Sequence, residues 1–194
     1  MSSKRYSLTR TVAPTIEPVT LSQAKKQLEI ADSDTSHDTH LNLLIQAARE
    51  QFEHDTSLLC YTQTWTLTAD SFWDEDLHLP HRPIQSLTSI TYYDSANSTQ
   101  TLATSVYALD AAQQKIRLKY DQDWPYTVDR WDAVTITYVG GYSTTATIPA
   151  IAKQAVLLLI AHYFEHRGDG LVDAVNTFPQ YDNLVRRAIR TSYP

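Results

Sequence analysis

The chain is short of four things, and each shortage closes off a class of function. Cys60 is the only cysteine among 194 residues. A single thiol makes no internal disulfide and no cysteine-rich metal site, and it fits a reducing cytoplasm. Glycine is scarce, at four residues, and neither a glycine-rich phosphate loop nor a G-x-S-x-G elbow occurs. Basic residues are outnumbered, 16 Lys and Arg against 22 Asp and Glu, for a net charge of −6. Tight duplex binding needs basic surface that displaces counterions, so this balance argues against it. It remains compatible with a channel through which DNA slides without sticking. Long apolar runs are missing too. Val156 to Ala161 is unbroken, but a bilayer span needs ~20 residues. Residues 1–19 hold Lys4, Arg5 and Arg10 and no apolar stretch, so no secretory signal is expected.

What the chain does have is aromatic weight, with twelve Tyr and four Trp. That suggests much cross-strand packing. Its hydrophobic content of 42% is ordinary, and its length suits one domain, with room for an inserted lobe.

The helical signals fall in four places. Thr20-Leu21-Ser22-Gln23 is a capping box opening a short helix that ends near Ile30. A longer helix is expected from Asp38 to about Leu58, with Leu41, Leu44, Ile45, Ala48 and Phe52 on one stripe. Arg49 and Glu53 are spaced to pair on its wet side. The third helix spans Pro149 to Arg167 and stops at Gly168 and Gly170. Its run from Val156 to Ala161 covers every side of a helix, so it is buried on more than one side. Either it is the central helix of a monomer core or one side faces a neighbouring subunit. The second reading makes Val156, Leu157, Leu159, Ile160, Tyr163 and Phe164 the expected subunit contact, with the Asp38–Leu58 helix also taking part. A last helix turns Leu184, Val185, Ala188 and Ile189 inward and leaves Arg186, Arg187 and Arg190 as a basic edge.

From Tyr61 the period changes to two. Thr62 to Thr68, Leu77 to Leu79, Leu87 to Asp94, Thr101–Leu102, Val106 to Leu109, Lys115 to Lys119 and Ala133 to Val139 read as strands. Their short connections make them antiparallel. Met1 to Val19, with Pro14 and Pro18, reads as an extended arm. For an isolated chain the expectation is a disordered tail rather than an ordered arm. The expected fold is α+β: a core of three to four helices (20–60 and 148–167), an antiparallel β-lobe (61–147) inserted between the second and third, and a C-terminal loop and helix (168–194).

Four motifs bear on chemistry. His162-Tyr163-Phe164-Glu165-His166 fits H-x-x-E-H, in which two histidines reach one zinc and the glutamate activates its water. That would make a zinc hydrolase, but a third ligand is needed, and Asp169, Asp173 and Asp182 qualify by position only. The plainer reading is a helix turning polar as it leaves the core. Trp124, Tyr126 and Trp131 sit in one loop and suit either a carbohydrate or receptor site or the pinning of that loop to its sheet; pinning is favoured. Asp74, Glu75 and Asp76 lack the spacing of a calcium loop and read as a solvated turn. His78 and His81 flank Pro80 with no partner cluster evident.

The order of the pieces also resembles a known family. Pro18-Val19-Thr20-Leu21-Ser22-Gln23-Ala24-Lys25 is similar to the opening of tailed-phage head–tail connector (adaptor) proteins, as is Leu43 to Glu50. Thr62 to Trp65, Pro83 to Tyr92, Trp124-Pro125, Val134 to Tyr142 and Ile148-Pro149 follow in the same order. The resemblance covers about residues 18–167 and fades beyond Gly168. It implies a structural, non-catalytic virion neck protein that needs no cofactor or metal and is made in the host cytoplasm. It implies a ring, commonly of twelve subunits, with the portal above and a stopper or tail protein below. Packaged DNA would pass through without tight binding, and no membrane is involved. The C-terminal segment, with Tyr181, Arg186, Arg187 and Arg190, is the expected portal contact.

Overall fold

The computed structural model describes residues 6–73, 75–166 and 179–191. Along them run β1 (Tyr6–Val12), α1 (Leu21–Gln27), α2 (Asp38–Thr56), β2 (Gln63–Ala69), β3 (Asp76–His78), β4 (Ile84–Tyr93), β5 (Thr99–Thr101), β6 (Tyr107–Asp110), β7 (Lys115–Leu118), β8 (Val134–Gly140), α3 (Ala150–Glu165) and α4 (Pro179–Thr191). The fold is α+β, and the strands β2 to β8 lie between α2 and α3 in the chain. Two compact units result: residues 1–14 with 62–141, and residues 15–61 with 142–194.

The β-unit holds two antiparallel sheets, one of five strands in the order β1-β2-β8-β4-β5 and one of three in the order β3-β7-β6. Alternation decides what each strand buries. Leu67, Ala69, Ile90, Val134, Ile136 and Tyr138 point from the larger sheet into a core shared with Leu77, Tyr107 and Ile116 of the smaller. The opposite face of β2 and β8 carries Thr64, Thr66, Thr68, Thr135 and Thr137, all half-exposed. Asp76, expected in a solvated turn, instead lies on β3 and pairs with Lys115 and Arg117 of β7 at 3.0 Å each.

The N-terminal segment corrects an expectation. It is not a disordered tail over its described part: Tyr6 to Arg10 pair with Ala69 to Trp65 as an antiparallel edge strand. The open row of N–H and C=O groups on β2 supplies partners for any extended neighbour, and Leu8 turns inward onto the β core. Prolines 14 and 18 block helix but not this pairing, which ends before them.

The helical unit is built around α3, which packs against α1, α2 and α4. Its N-cap is Pro149, and it ends at Glu165 with His166 as C-cap; Gly168 and Gly170 lie outside the described residues. The capping box of α1 is present, with Gln23 N donating to Thr20 Oγ1 at 3.2 Å and Thr20 N to Gln23 Oε1 at 2.8 Å. The stripe expected on α2 is buried throughout. The Arg49–Glu53 pair forms, at 3.0 Å, but not on a wet side. Glu17, arriving from the segment before α1, covers Arg49 with a second ion pair at 2.8 Å, and Arg49 is left 2% exposed. Burial alone would lower the Arg49 pKa, yet the charges of Glu53 and Glu17 leave it raised. Glu53 also accepts from the Cys60 amide at 2.7 Å. The Cys60 thiol is pushed well up by burial and then by Glu53, so it is an inert structural residue.

Candidate functional site

The helix α3 carries the residues expected to meet a neighbouring subunit, and its surroundings show which of them are open to one. The side of α3 turned to α1, α2 and α4 is formed by Ala152, Ala155, Val156, Leu159 and Ile160, all in the core of the helical unit. Val156 and Ile160 have no exposed surface and Leu159 has 4%. These three are therefore withdrawn as contacts with a neighbour: the chain's own helices cover them. Leu157, Tyr163 and Phe164 are half-exposed and pack partly on that core. Phe164 meets the ring of His37 edge-on, with centroids 5.5 Å apart. Burial, followed by the charge of Asp55, raises the pKa of Tyr163.

The apolar surface left over lies on the two expected helices but at other residues. Leu158 and Ala161 are half-exposed and share the outward stripe of α3 with exposed Gln154 and Glu165. On α2, Leu43 is 62% exposed and Ala47, one turn on, is exposed as well. Their spacing from the buried stripe was a usable signal, since a residue two positions off the stripe points away from it.

On α4, Tyr181 is not available as a partner contact. It is 5% exposed, and its hydroxyl donates to Asp55 Oδ2 on α2 at 2.7 Å. Burial and that bond push its pKa up, fixing it as a neutral clamp between α4 and α2. Arg186, Arg187 and Arg190 do form an exposed edge. The H-x-x-E-H residues are at the end of α3 and just past it. The His162 and His166 rings are 4.4 Å apart, but His166 Nδ1 is bonded to the His162 carbonyl oxygen at 2.9 Å. Burial, with the nearby His166, lowers the His162 pKa. Among the described residues no group of three His, Cys, Asp or Glu side chains is placed to hold a metal ion. Of the third ligands considered, Asp182 is exposed on α4, and Asp169 and Asp173 lie outside the described residues.

In the β-unit the aromatic loop divides. Trp124 is pinned: it stacks on Phe72 at 4.7 Å and 8°, and its indole N–H donates to the Glu75 carbonyl at 3.3 Å. Arg130 lies 3.9 Å over the Tyr93 ring and donates to Asn97 Oδ1 at 3.0 Å. Tyr126 and Trp131, by contrast, are each 79% exposed, so pinning does not account for them. His81 does have a partner. Its Nδ1 is 2.8 Å from the Tyr138 hydroxyl, its ring lies 4.1 Å from that of Trp65, and burial lowers its pKa to about 4.

With these faces described, the kinship of the chain is informative. Residues 18–119 match the model of the phage gp6-like head–tail connector proteins. The chain belongs to that family. No curated protein matches this connector. Among solved structures it is similar to a chain from the neck of an empty gene transfer agent particle computed with C6 symmetry, with a TM-score of 0.76, 21% identity and 94% of each chain covered. A chain from the virion of the native particle matches at a TM-score of 0.74 with 20% identity over 93% of each chain. A chain from the native neck computed with C12 symmetry matches at 0.70 with 22% identity over 94% of each. At these identities the likeness establishes that the connector shares their fold.

Proposed function

We propose that this connector is a structural ring subunit of the virion neck, seated beneath the portal, joining head to tail and extending the DNA channel without catalysis. The observation that carries the reading is the family match over residues 18–119. The shared fold with chains from particle necks computed with C6 and C12 symmetry supports a ring, with twelve copies the natural count. The acidic balance, −6 per chain, suits a lining that DNA must not grip.

Lateral contact falls to the outward face of α3, with Leu158 and Ala161 flanked by Leu157, Tyr163 and Phe164, and to Leu43 and Ala47 of α2. The portal contact falls to the arginine edge of α4, Arg186, Arg187 and Arg190, with Tyr181 holding that helix in place. The test is to mix the protein with its portal and image the product by electron microscopy. A ring on the portal is expected. Leu158→Arg should keep the melting temperature and lose the ring. A portal that never recruits the wild-type chain overturns the reading.

A further inference from the structure

The β-unit contains an open groove of its own. It is lined by Asp70, Ser71, Phe72 and Trp73 from the segment after β2, and by residues 124 to 129 from the loop before β8, and it encloses about 670 Å³. Four of its lining residues are aromatic, Phe72, Trp73, Trp124 and Tyr126, and two are carboxylates, Asp70 and Asp129. No cation lines it. Both walls are held in place. Phe72 and Trp124 stack on one another, the Val128 amide donates to the Tyr93 carbonyl at 3.1 Å, and Trp73 stacks with Tyr6 of β1 at 6.3 Å. The one arginine of the loop, Arg130, is committed to Tyr93 and Asn97.

A fixed loop that keeps Tyr126 and Trp131 in water has a contact to make, because large exposed aromatics on an ordered frame are the residues that anchor partners. The charge selects the partner. Beyond the two lining acids, Asp121, Asp123 and Asp132 are exposed on the same loop. Anionic ligands and nucleic acid are repelled there. A guanidinium or ammonium group gains twice, from the aromatic faces and from the carboxylates beside them.

We infer that this groove is a docking site for an extended, arginine- or lysine-bearing segment of a partner protein, its cationic side chains seated between the aromatic walls and the Asp70 and Asp129 carboxylates. The inference does not depend on the ring: it predicts binding by the subunit in solution.

The test uses the full chain and a capped Gly-Arg-Gly-Arg-Gly peptide, with the same peptide carrying citrulline for arginine as a neutral twin. Binding is followed through the indole N–H signals in a nitrogen–proton correlation spectrum. Saturable shifts of the Trp73 and Trp124 signals are expected, with Trp65 unmoved. The citrulline peptide should bind at least about fivefold more weakly, and Tyr126→Ala about fivefold more weakly with the arginine peptide. Asp70→Asn with Asp129→Asn should remove most of the salt dependence. These three substitutions are at half-exposed or exposed positions, so the fold is expected to survive them. Equal binding of both peptides, shifts confined to other residues, or no saturation overturns the inference. So does saturable binding of chitohexaose at the same indoles with none of the arginine peptide, which would assign the groove to sugars.

Discussion

The helices of one unit and the sheets of the other hide polar groups in opposite ways. The helical unit buries charge: Arg49 is enclosed with Glu53 and Glu17, and Lys25, 3% exposed, is paired with Asp38. Just before β4 the β-unit encloses Arg82, 6% exposed, but within its sheets it buries neutral polar groups: Tyr138 is fully enclosed and bonded to His81, whose depressed pKa keeps it uncharged near neutral pH. Its ion pairs, Asp76 with Lys115 and Arg117, remain partly in water. The difference follows from how each segment arrives. Glu17 comes in from the connection before α1 and closes over α2, so a pair that began on a helix surface ends inside. On a sheet the charged row stays on the outward pleat, and the inward row must be apolar or neutral.

The largest predicted effect breaks the charged interior. Arg49→Ala leaves Glu53 buried without its cation and should cost about 3–5 kcal/mol in urea melts followed by helical circular dichroism. The matching change in the β-unit, Lys115→Ala, removes a partly solvated pair and should cost about 0.5 kcal/mol. If the two losses came out alike, the contrast between the units would be wrong.

Next comes the enclosure of α3. Ile160→Ala empties a site walled by the chain's own helices and should cost about 3 kcal/mol. Leu158→Ala, on the outward stripe, should cost well under about 1 kcal/mol in the free chain. A large loss at Leu158 in the isolated subunit would mean that the outward face is already covered there.

The neutral interior of the β-unit makes a prediction in acid. The His81 pKa falls from 6.5 unfolded to about 4 folded, because burial disfavours the imidazolium. Between those values the unfolded chain binds the proton that the folded chain refuses. The contribution is complete above pH 6.5, drains as pH falls toward 4, and amounts to about 3 kcal/mol over the whole interval. Chemical melts at stepped pH should show this slope, and His81→Gln should flatten it. An unchanged slope in the variant would place the acid sensitivity elsewhere.

Much of this was legible in the chain, for stated reasons. The stripe of α2 and the box at Thr20 are local, and local periodicity reports them directly. Strands appear at each stretch after Tyr61 that alternation marked, but β4 begins earlier than expected, at Ile84, and β5 at Thr99 rather than Thr101. What escaped depends on residues far apart in sequence. The burial of Arg49 is decided by Glu17, and the pairing of Tyr6–Val12 by an open edge on β2. The apolar girth of α3 was visible, but its cause was not: three helices of the same chain use most of it, so a greasy circumference alone does not signal a second subunit. The groove joins Phe72 to Trp124 across most of the β-unit, and no spacing rule connects them.

The smallest effect tests whether the units also differ in their hydroxyls. Thr20 Oγ1 accepts from the Gln23 amide, one of the donors at a helix start that has no partner within the helix. Thr20→Ala should therefore cost about 1 kcal/mol. In the β-unit the hydroxyls of Thr66 and Thr137 sit 3.4 Å apart on the outward face, where water competes for both. Thr137→Ala should change stability by no more than about 0.5 kcal/mol. The same atom type then matters in one unit and hardly in the other. The reason is that the helix start leaves a backbone donor to satisfy, while every amide of a paired central strand already has its carbonyl.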